Sequence, residues 1–211
     1  GDLQGAVDAF EKALRIRPEY GDVVYNMGRV LCDQWRLDEA LACCERARML
    51  GVPEKLARNN AGLVLYRQGR FRAAIDEYRR ALALDQGFVD AHWNLAHVLL
   101  HTGEFGEGWK EFEWRWARPD FQSLRVRYTM PRWDGTPMPD RTILLWAEQG
   151  FGDVIHCLRY LQAVAGRGLR IIVEAPLPLQ RLISASPYVA EVVPRGSMPP
   201  HDVQLPLMSL P

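Results

Sequence analysis

The sequence predicts an α-helical solenoid over residues 1–118, joined to a partial α/β domain over residues 141–211. Three observations carry that expectation. Side-chain types recur every 34 residues, composition changes abruptly after Arg118, and a strand–loop–helix–strand pattern begins at Thr142.

The repeat comes first because it fixes the architecture of more than half the chain. Ala6, Ala40, Ala74 and Gly108 share the 34-residue interval. One helical turn later Phe10, Cys44, Tyr78 and Phe112 do the same, followed by Ala13, Ala47 and Ala81, with Arg115 breaking that series. In the other half of the unit, Gly28, Gly62 and Ala96 recur, as do Leu31, Leu65 and Leu99, and Asn26, Asn60 and Asn94. Leu3, Leu37, Phe71 and Phe105 mark the turn between the two helices of each pair. Small residues on facing helices let two backbones approach closely, and the large ones fill the space towards the next pair. Gly69 and Gly103 suit a turn that needs positive φ; Pro18 and Pro53 suit the junctions where a helix must stop.

This small–large–small pattern resembles the tetratricopeptide repeat family across residues 1–118, although the family's usual tryptophan near the start of the unit is absent. A half repeat, the helix Leu3 to Ile16, is followed by about three full units. That first helix has an apolar stripe suited to a partner helix. The expectation is therefore that further repeats precede Gly1, or that the face supports self-association.

In stacked repeats the first helix of each unit lines the concave face. Asn26, Asn60 and Asn94 would form a ladder there, and an amide that donates and accepts can pair with the backbone of an extended peptide. The alternative is that these asparagines bridge neighbouring helices. The ladder is similar to that in the repeats of O-linked N-acetylglucosamine transferases, and the resemblance implies a peptide channel. Tyr25, Arg29, Trp93, His97 and His101 are the neighbouring groove positions. His97 and His101 stand four apart on one helix face, but no third ligand is evident and no metal site is expected.

Charge and cysteine content narrow the partners. Lysine plus arginine number 26, as do aspartate plus glutamate, so no concentrated positive charge favours nucleic acid or an acidic membrane. No apolar run approaches the length of a membrane span. Cys32, Cys43, Cys44 and Cys157 form no C-x-x-C pair, which reads as buried thiols in a reducing cytoplasm.

Residues 119–140 contain Pro119, Pro131, Pro137, Pro139 and Gly135 without a sustained helical period, and read as an ordered connector in which Phe121, Tyr128 and Trp133 are covered. The run Glu113 to Trp116 reads as the docking end of the last solenoid helix. Ile143 to Trp146 is an apolar run of the buried parallel-strand type. Gly150-Phe151-Gly152-Asp153 reads as a tight turn before a helix carrying Val154, Leu158, Leu161 and Val164. Ile171 to Val173 follows as a second strand, then a helix at about Leu177 to Ser184 and strands near Glu191–Val193 and Asp202–Leu205.

The loop from Glu148 through Gln149 to Asp153 is the most chemical feature. Open α/β sheets bind ligands at the carboxyl ends of their strands. Gly150 and Gly152 allow close approach, and a helix start offers free N–H groups to an anion. The fingerprint G-x-G-x-x-G fails because Ile155 occupies the third glycine position, which disfavours a nicotinamide cofactor. Asp153 is either a general base or the cap of the helix that starts there.

The strings R-W-D-G (Arg132 to Gly135) and L-L-W-A-E-Q-G-F-G-D (Leu144 to Asp153), with Arg159-Tyr160, resemble a bacterial glycosyltransferase-like module, and Pro199 to Pro211 fits it. That likeness covers residues 109–211. The module is similar, more distantly, to the heptosyltransferases of glycosyltransferase family 9. The resemblance implies a GT-B fold of which residues 141–211 are part of the acceptor-side, Rossmann-like domain. It implies Asp153 as the base, Gly150 and Gly152 as the cleft, Arg159 as an anion contact or an ordinary surface charge, and a nucleotide-sugar donor held by a second domain after Pro211. No cofactor is expected in this chain. His156 departs from the family, where relatives carry glutamine. A protein-binding scaffold without turnover is the competing reading. A hydrolase-type α/β protein ranks last, because no G-x-S-x-G elbow is present.

Overall fold

The computed structural model describes residues 2–148 and 150–211, and all of their side chains except those of Gln122, Ser123, Arg125 and Val126. Two compact units divide at Arg118 and Pro119.

The first unit is helical: α1 Leu3–Ile16, α2 Gly21–Asp33, α3 Leu37–Met49, α4 Glu54–Arg67, α5 Phe71–Leu84, α6 Val89–Thr102 and α7 Phe105–Phe112, then a 3-10 turn Glu113–Ala117. Asp2 caps α1 by accepting from the Gly5 N–H at 2.8 Å. Helices pack in sequence order as antiparallel neighbours, and among the first helices α4 also touches α2 and α6. The small positions explain the close packing. A Cβ at residue 28 would lie 2.9 Å from the Cys43 Cβ, and one at residue 62 would lie 2.6 Å from the Tyr78 ring. Ala40, Ala47, Ala74, Ala81 and Ala96 are fully buried opposite such positions. Cys32 and Cys44 are buried and Cys43 half-buried, all as free thiols. Burial pushes the Cys44 thiol up to about 12, so it is an inert apolar filler.

The turns show one departure from the pattern. Gly69 (φ 74°) and Gly103 (φ 86°) make the turn between the two helices of their repeats in the left-handed region, and Trp35 takes the same conformation (φ 61°) one repeat earlier. Its indole is 68% exposed, with the Arg67 guanidinium 5.9 Å from the ring centroid. A left-handed non-glycine residue costs about 1–2 kcal/mol, more than an exposed cation–π contact of about 0.5–1 kcal/mol returns. Trp35→Gly is therefore expected to raise the thermal midpoint by a few degrees in circular dichroism. A lowered midpoint would show that the indole holds the turn.

The second unit begins with α8, Pro119–Arg127, which corrects the expected irregular connector. Pro119 is the first residue of that helix, where a missing N–H costs nothing. Beyond it the chain is ordered: Tyr128 is buried, Trp133 packs against the core, and the Trp133 N–H donates to the Gln204 carbonyl at 3.0 Å. Four parallel strands follow: β1 Thr142–Trp146, β2 Arg170–Ala175, β3 Val189–Pro194 and β4 Val203–Pro206. Helices α9 Phe151–Cys157, α10 Leu161–Ala165 and α11 Leu177–Ser184 lie between them in sequence. The spatial order is β3-β2-β1-β4. Alternation divides the sheet into two faces. Ile143, Leu145, Ile171, Val173, Val203 and Leu205 join Val154, Leu161 and Ile183 in one core. Leu144, Trp146, Ile172, Glu174 and Gln204 lie on the opposite face.

Candidate functional site

Two regions carry the candidate residues, one in each unit. In the first, α2, α4 and α6 present the asparagines, and the three are not equivalent. Asn26 is exposed. Asn60 is 7% exposed, and its buried Nδ2 has no hydrogen-bond acceptor among the described residues. Asn94 is half-buried and its Nδ2 donates to Asn59 Oδ1 at 2.9 Å. Asn94 therefore bridges α6 to α4 through a residue adjacent to the expected ladder. Tyr25 is half-buried on α2. Burial raises its phenol pKa, against the lowering effects of the Arg29 charge and the Asn60 amide beside it.

At the far end the groove positions engage one another. Trp93 stacks on Phe112 with centroids 5.4 Å apart, and the Arg118 guanidinium lies 5.0 Å from the Trp93 ring centroid while pairing with Asp90 at 3.0 Å. His97 is exposed, with Nδ1 donating to the Trp93 carbonyl at 2.7 Å. His101 packs 4.7 Å from the Phe71 ring and edge-on to Tyr66. The four-residue spacing thus leaves the two imidazoles with different partners. Among the described residues no group of three metal-ligating side chains occurs. A histidine outside the expected set is more firmly held: His92 is buried, pairs through Nδ1 with Glu111, lies through Nε2 2.8 Å from the Gln86 carbonyl, and stacks on Trp114 at 3.8 Å.

In the second unit the strand order reverses beside β1: the chain runs outward through β2 and β3, then returns to β1's other edge as β4. In open α/β sheets the crevice at such a reversal, beyond the carboxyl ends of the strands, takes the ligand. Gly150 and Asp153 follow β1 at that point; Gln149 lies outside the described residues. The expected tight turn is shorter than the sequence suggests, because Phe151, Gly152 and Asp153 already belong to α9. Gly150 is the residue before the helix, in extended conformation (φ −67°, ψ 169°). Its value is space: a Cβ there would meet only Asp153 Oδ2, at 3.6 Å, and one at Gly152 would meet nothing within 4 Å. Asp153 is the third residue of α9 and so not its cap. Arg159 is exposed in the 3-10 turn Leu158–Tyr160, its guanidinium 5.8 Å from the Tyr160 ring centroid.

Behind this crevice lies a buried cluster that the motifs did not disclose. Glu174, fully buried, accepts from the Tyr128 hydroxyl at 2.6 Å and from the Gly196 N–H at 2.9 Å, with Arg127 Nη2 at 3.4 Å. Tyr128 stacks on Trp146 at 3.9 Å, and the Trp146 indole N–H donates to Gln204 Oε1 at 2.7 Å. Burial, then the bond to the Glu174 carboxylate, raises the Tyr128 pKa. The hydroxyl therefore stays protonated as a donor. Arg195 reaches the Ala147 carbonyl at 2.8 Å, so the ends of β1 and β2 and the segment after β3 are tied together.

Comparison with known proteins defines the class of the helical unit. The tetratricopeptide repeat family matches residues 1–54, and the TPR repeat family matches residues 62–103. These stretches are tetratricopeptide repeats, and the helical unit is a protein-interaction module of that kind. Protein FlbA of Caulobacter vibrioides is 26% identical over 156 residues, covering 74% of this chain and 21% of that protein; the chain spans only that 21% of the relative's length. Among solved structures, MamA is 25% identical with a TM-score of 0.49, covering 61% of this chain and 74% of that one. An O-GlcNAc transferase mutant of Thermobaculum terrenum is 17% identical with a TM-score of 0.49, covering 91% of this chain and 38% of the transferase. No helix among the described residues is long and apolar enough to cross a membrane.

Proposed function

We propose that the repeats capture an extended segment of a protein acceptor and that the α/β unit is the acceptor-side part of a GT-B glycosyltransferase using a nucleotide-sugar donor. The observation that carries this reading is the position of Asp153 at the reversal of an all-parallel sheet. Its carboxylate makes no hydrogen bond among the described residues and has open space around the two glycines beside it. A carboxylate so placed can accept a proton from an attacking hydroxyl. Gly150 and Gly152 keep the approach clear, Arg159 supplies positive charge on the following turn, and the donor nucleotide belongs to the second domain such enzymes require. The four free cysteines fit a reducing cytoplasm.

Asp153→Asn in the full-length protein is expected to lower sugar transfer to its acceptor at least about a hundredfold, as for loss of a general base. Repeat-mediated binding should stay unchanged. Equal turnover by the variant would remove Asp153 from the chemistry. The second reading, a binding scaffold without turnover, draws on Arg159, which lies against Tyr160 and makes no hydrogen bond to the Asp153 loop among the described residues. Absence of transfer from every nucleotide sugar tried, with acceptor binding intact, would favour it.

A further inference from the structure

We infer that the carboxyl ends of β1, β2 and β3 carry a binding site for a phosphoryl group, built from Arg195 and Arg127. The site lies within the α/β unit and asks nothing of Asp153, so it stands for a transferase and for a scaffold alike. Trp146 is in register with Glu174, and Glu174 with Val193. Ala147, Glu174 and the turn Pro194–Ser197, closed by the Ser197 N–H on the Pro194 carbonyl at 3.0 Å, therefore reach the same end of the sheet. That is the end at which open parallel sheets take their ligands.

Arg195 leaves from that turn, and its Nη2 donates to the Ala147 carbonyl at 2.8 Å. The residue is exposed, and among the described residues it makes no other hydrogen bond and no ion pair. A carbonyl oxygen fixes the guanidinium without answering its charge, and the remaining N–H donors stay open to a ligand. Arg127 arrives from the last residue of α8 with 32% of its side chain accessible. Its acidic partner among the described residues is Glu174 at 3.4 Å, beyond the reach of about 2.7–2.9 Å usual for a charge-assisted bond. The Glu174 oxygens are taken at closer range, by the Tyr128 hydroxyl at 2.6 Å and the Gly196 N–H at 2.9 Å.

Both guanidiniums act on the Tyr128 phenol. Burial and then the Glu174 carboxylate raise its pKa, and the charges of Arg127 and Arg195 oppose that rise. Two positive charges thus meet over one carboxylate and leave the cluster with a positive excess. Gly196 permits the approach: its φ is 104°, and a Cβ there would lie 3.1 Å from Arg127 Nη2. A planar carboxylate presents its two oxygens to one fork of donors. Guanidiniums that arrive from two segments, the end of α8 and the turn after β3, suit a tetrahedral group whose oxygens face several directions. Arginine is the side chain fitted to that task.

The test titrates the whole chain with inorganic phosphate, pyrophosphate and acetate at constant ionic strength, following the ¹H–¹⁵N signals of the arginine Nε–H groups. Phosphate and pyrophosphate are expected to shift Arg195 and Arg127 saturably, and to bind about tenfold or more tightly than acetate. Arg195→Gln should lower the phosphate affinity about tenfold or more, the loss typical of a charged hydrogen-bonding partner. Arg195→Lys keeps the charge and a donor for Ala147 but loses the fork, so it should weaken phosphate as well while the β1 and β2 amide signals stay in place. Arg181→Gln, which removes an exposed charge on α11, should leave the affinity as it was. A nucleoside diphosphate and a hexose phosphate then separate the sources: the tighter of the two assigns the phosphoryl group to a donor or to an acceptor. Phosphate that moves neither arginine, acetate that binds as tightly as phosphate, or an Arg181→Gln loss equal to that of Arg195→Gln would each overturn the site. None of these outcomes depends on turnover by Asp153.

Discussion

Glu174→Ala is expected to destabilise the α/β unit by about 3–5 kcal/mol, the cost of breaking a buried charged pair by removing one partner. The carboxylate is fully buried and serves three donors at once: the Tyr128 hydroxyl, the Gly196 N–H and Arg127. Alanine strands the first two, at about 1–3 kcal/mol each. Glu174→Gln should cost less, because its carbonyl oxygen can still accept from Gly196. Tyr128→Phe in the Glu174→Leu background should recover part of the loss by removing the stranded hydroxyl, a coupling that a double-mutant cycle measures. Hydrogen exchange of the β1 and β2 amides is the readout, since it reports this unit separately from the helices. A loss below about 1 kcal/mol would mean that water replaces the carboxylate oxygens. The cluster matters to the proposed chemistry because β2's end is bonded to β1's: the Ala147 N–H donates to the Glu174 carbonyl at 3.1 Å. The loop bearing Gly150 leaves from that point.

The helical unit was legible in the sequence because each repeat reports the same packing solution again. Ala6, Ala40 and Ala74 would be uninformative singly; at a fixed interval they locate a helix–helix contact that tolerates no larger side chain. The strands were legible for a different reason: Ile143 to Trp146 and Ile171 to Val173 are buried on both faces and so lose their alternation. Helix α8 was not legible, since its opening proline reads as a breaker wherever its place as the first residue is unknown. Its side chains also show no clear apolar stripe.

The candidate sites were legible only in outline. Sequence spacing picked out Asn94 as a rung, but its partner Asn59 lies off the 34-residue series, and a pairing specific to one repeat leaves no periodic trace. Asp153 reads as either a base or a cap, the cap because glycine, phenylalanine and glycine precede it; the helix starts at Phe151 and places the carboxylate in its first turn. Glu174 reads as the polar end of an apolar strand. Nothing local shows that a tyrosine 46 positions earlier folds over it. Buried polar clusters are set by tertiary contacts between distant segments, and a single sequence encodes those contacts without displaying them.

Tyr78→Ala is expected to cost about 3–5 kcal/mol in the stability of the repeats, the range for emptying a large aromatic from a packed core. Tyr78 is 1% exposed and sits between α4 and α5 with Leu65, Ala74, Leu95 and Leu99 around it. Its ring occupies the space that a side chain at residue 62 would need, since a Cβ there would lie 2.6, 2.8 and 2.9 Å from three ring carbons. Gly62→Ala should therefore destabilise in spite of alanine's better helix propensity: overpacking costs about 1–3 kcal/mol, against a gain of about 1 kcal/mol from replacing a helical glycine. The two positions are one joint. Gly62→Ala with Tyr78→Leu should cost less than the sum of the single changes, because the smaller side chain admits the added methyl group. Urea denaturation followed by the helical circular dichroism signal measures all four corners of that cycle. The joint also reaches the groove, since Asn59 and Asn60 precede Gly62 on α4, and a displaced α4 would move Asn59 away from Asn94 and Asn60 away from Tyr25. Gly62→Ala is accordingly expected to weaken peptide capture as well as folding. Additive energies in the cycle would show that α4 and α5 move apart without strain, and that the glycine is not what sets their distance.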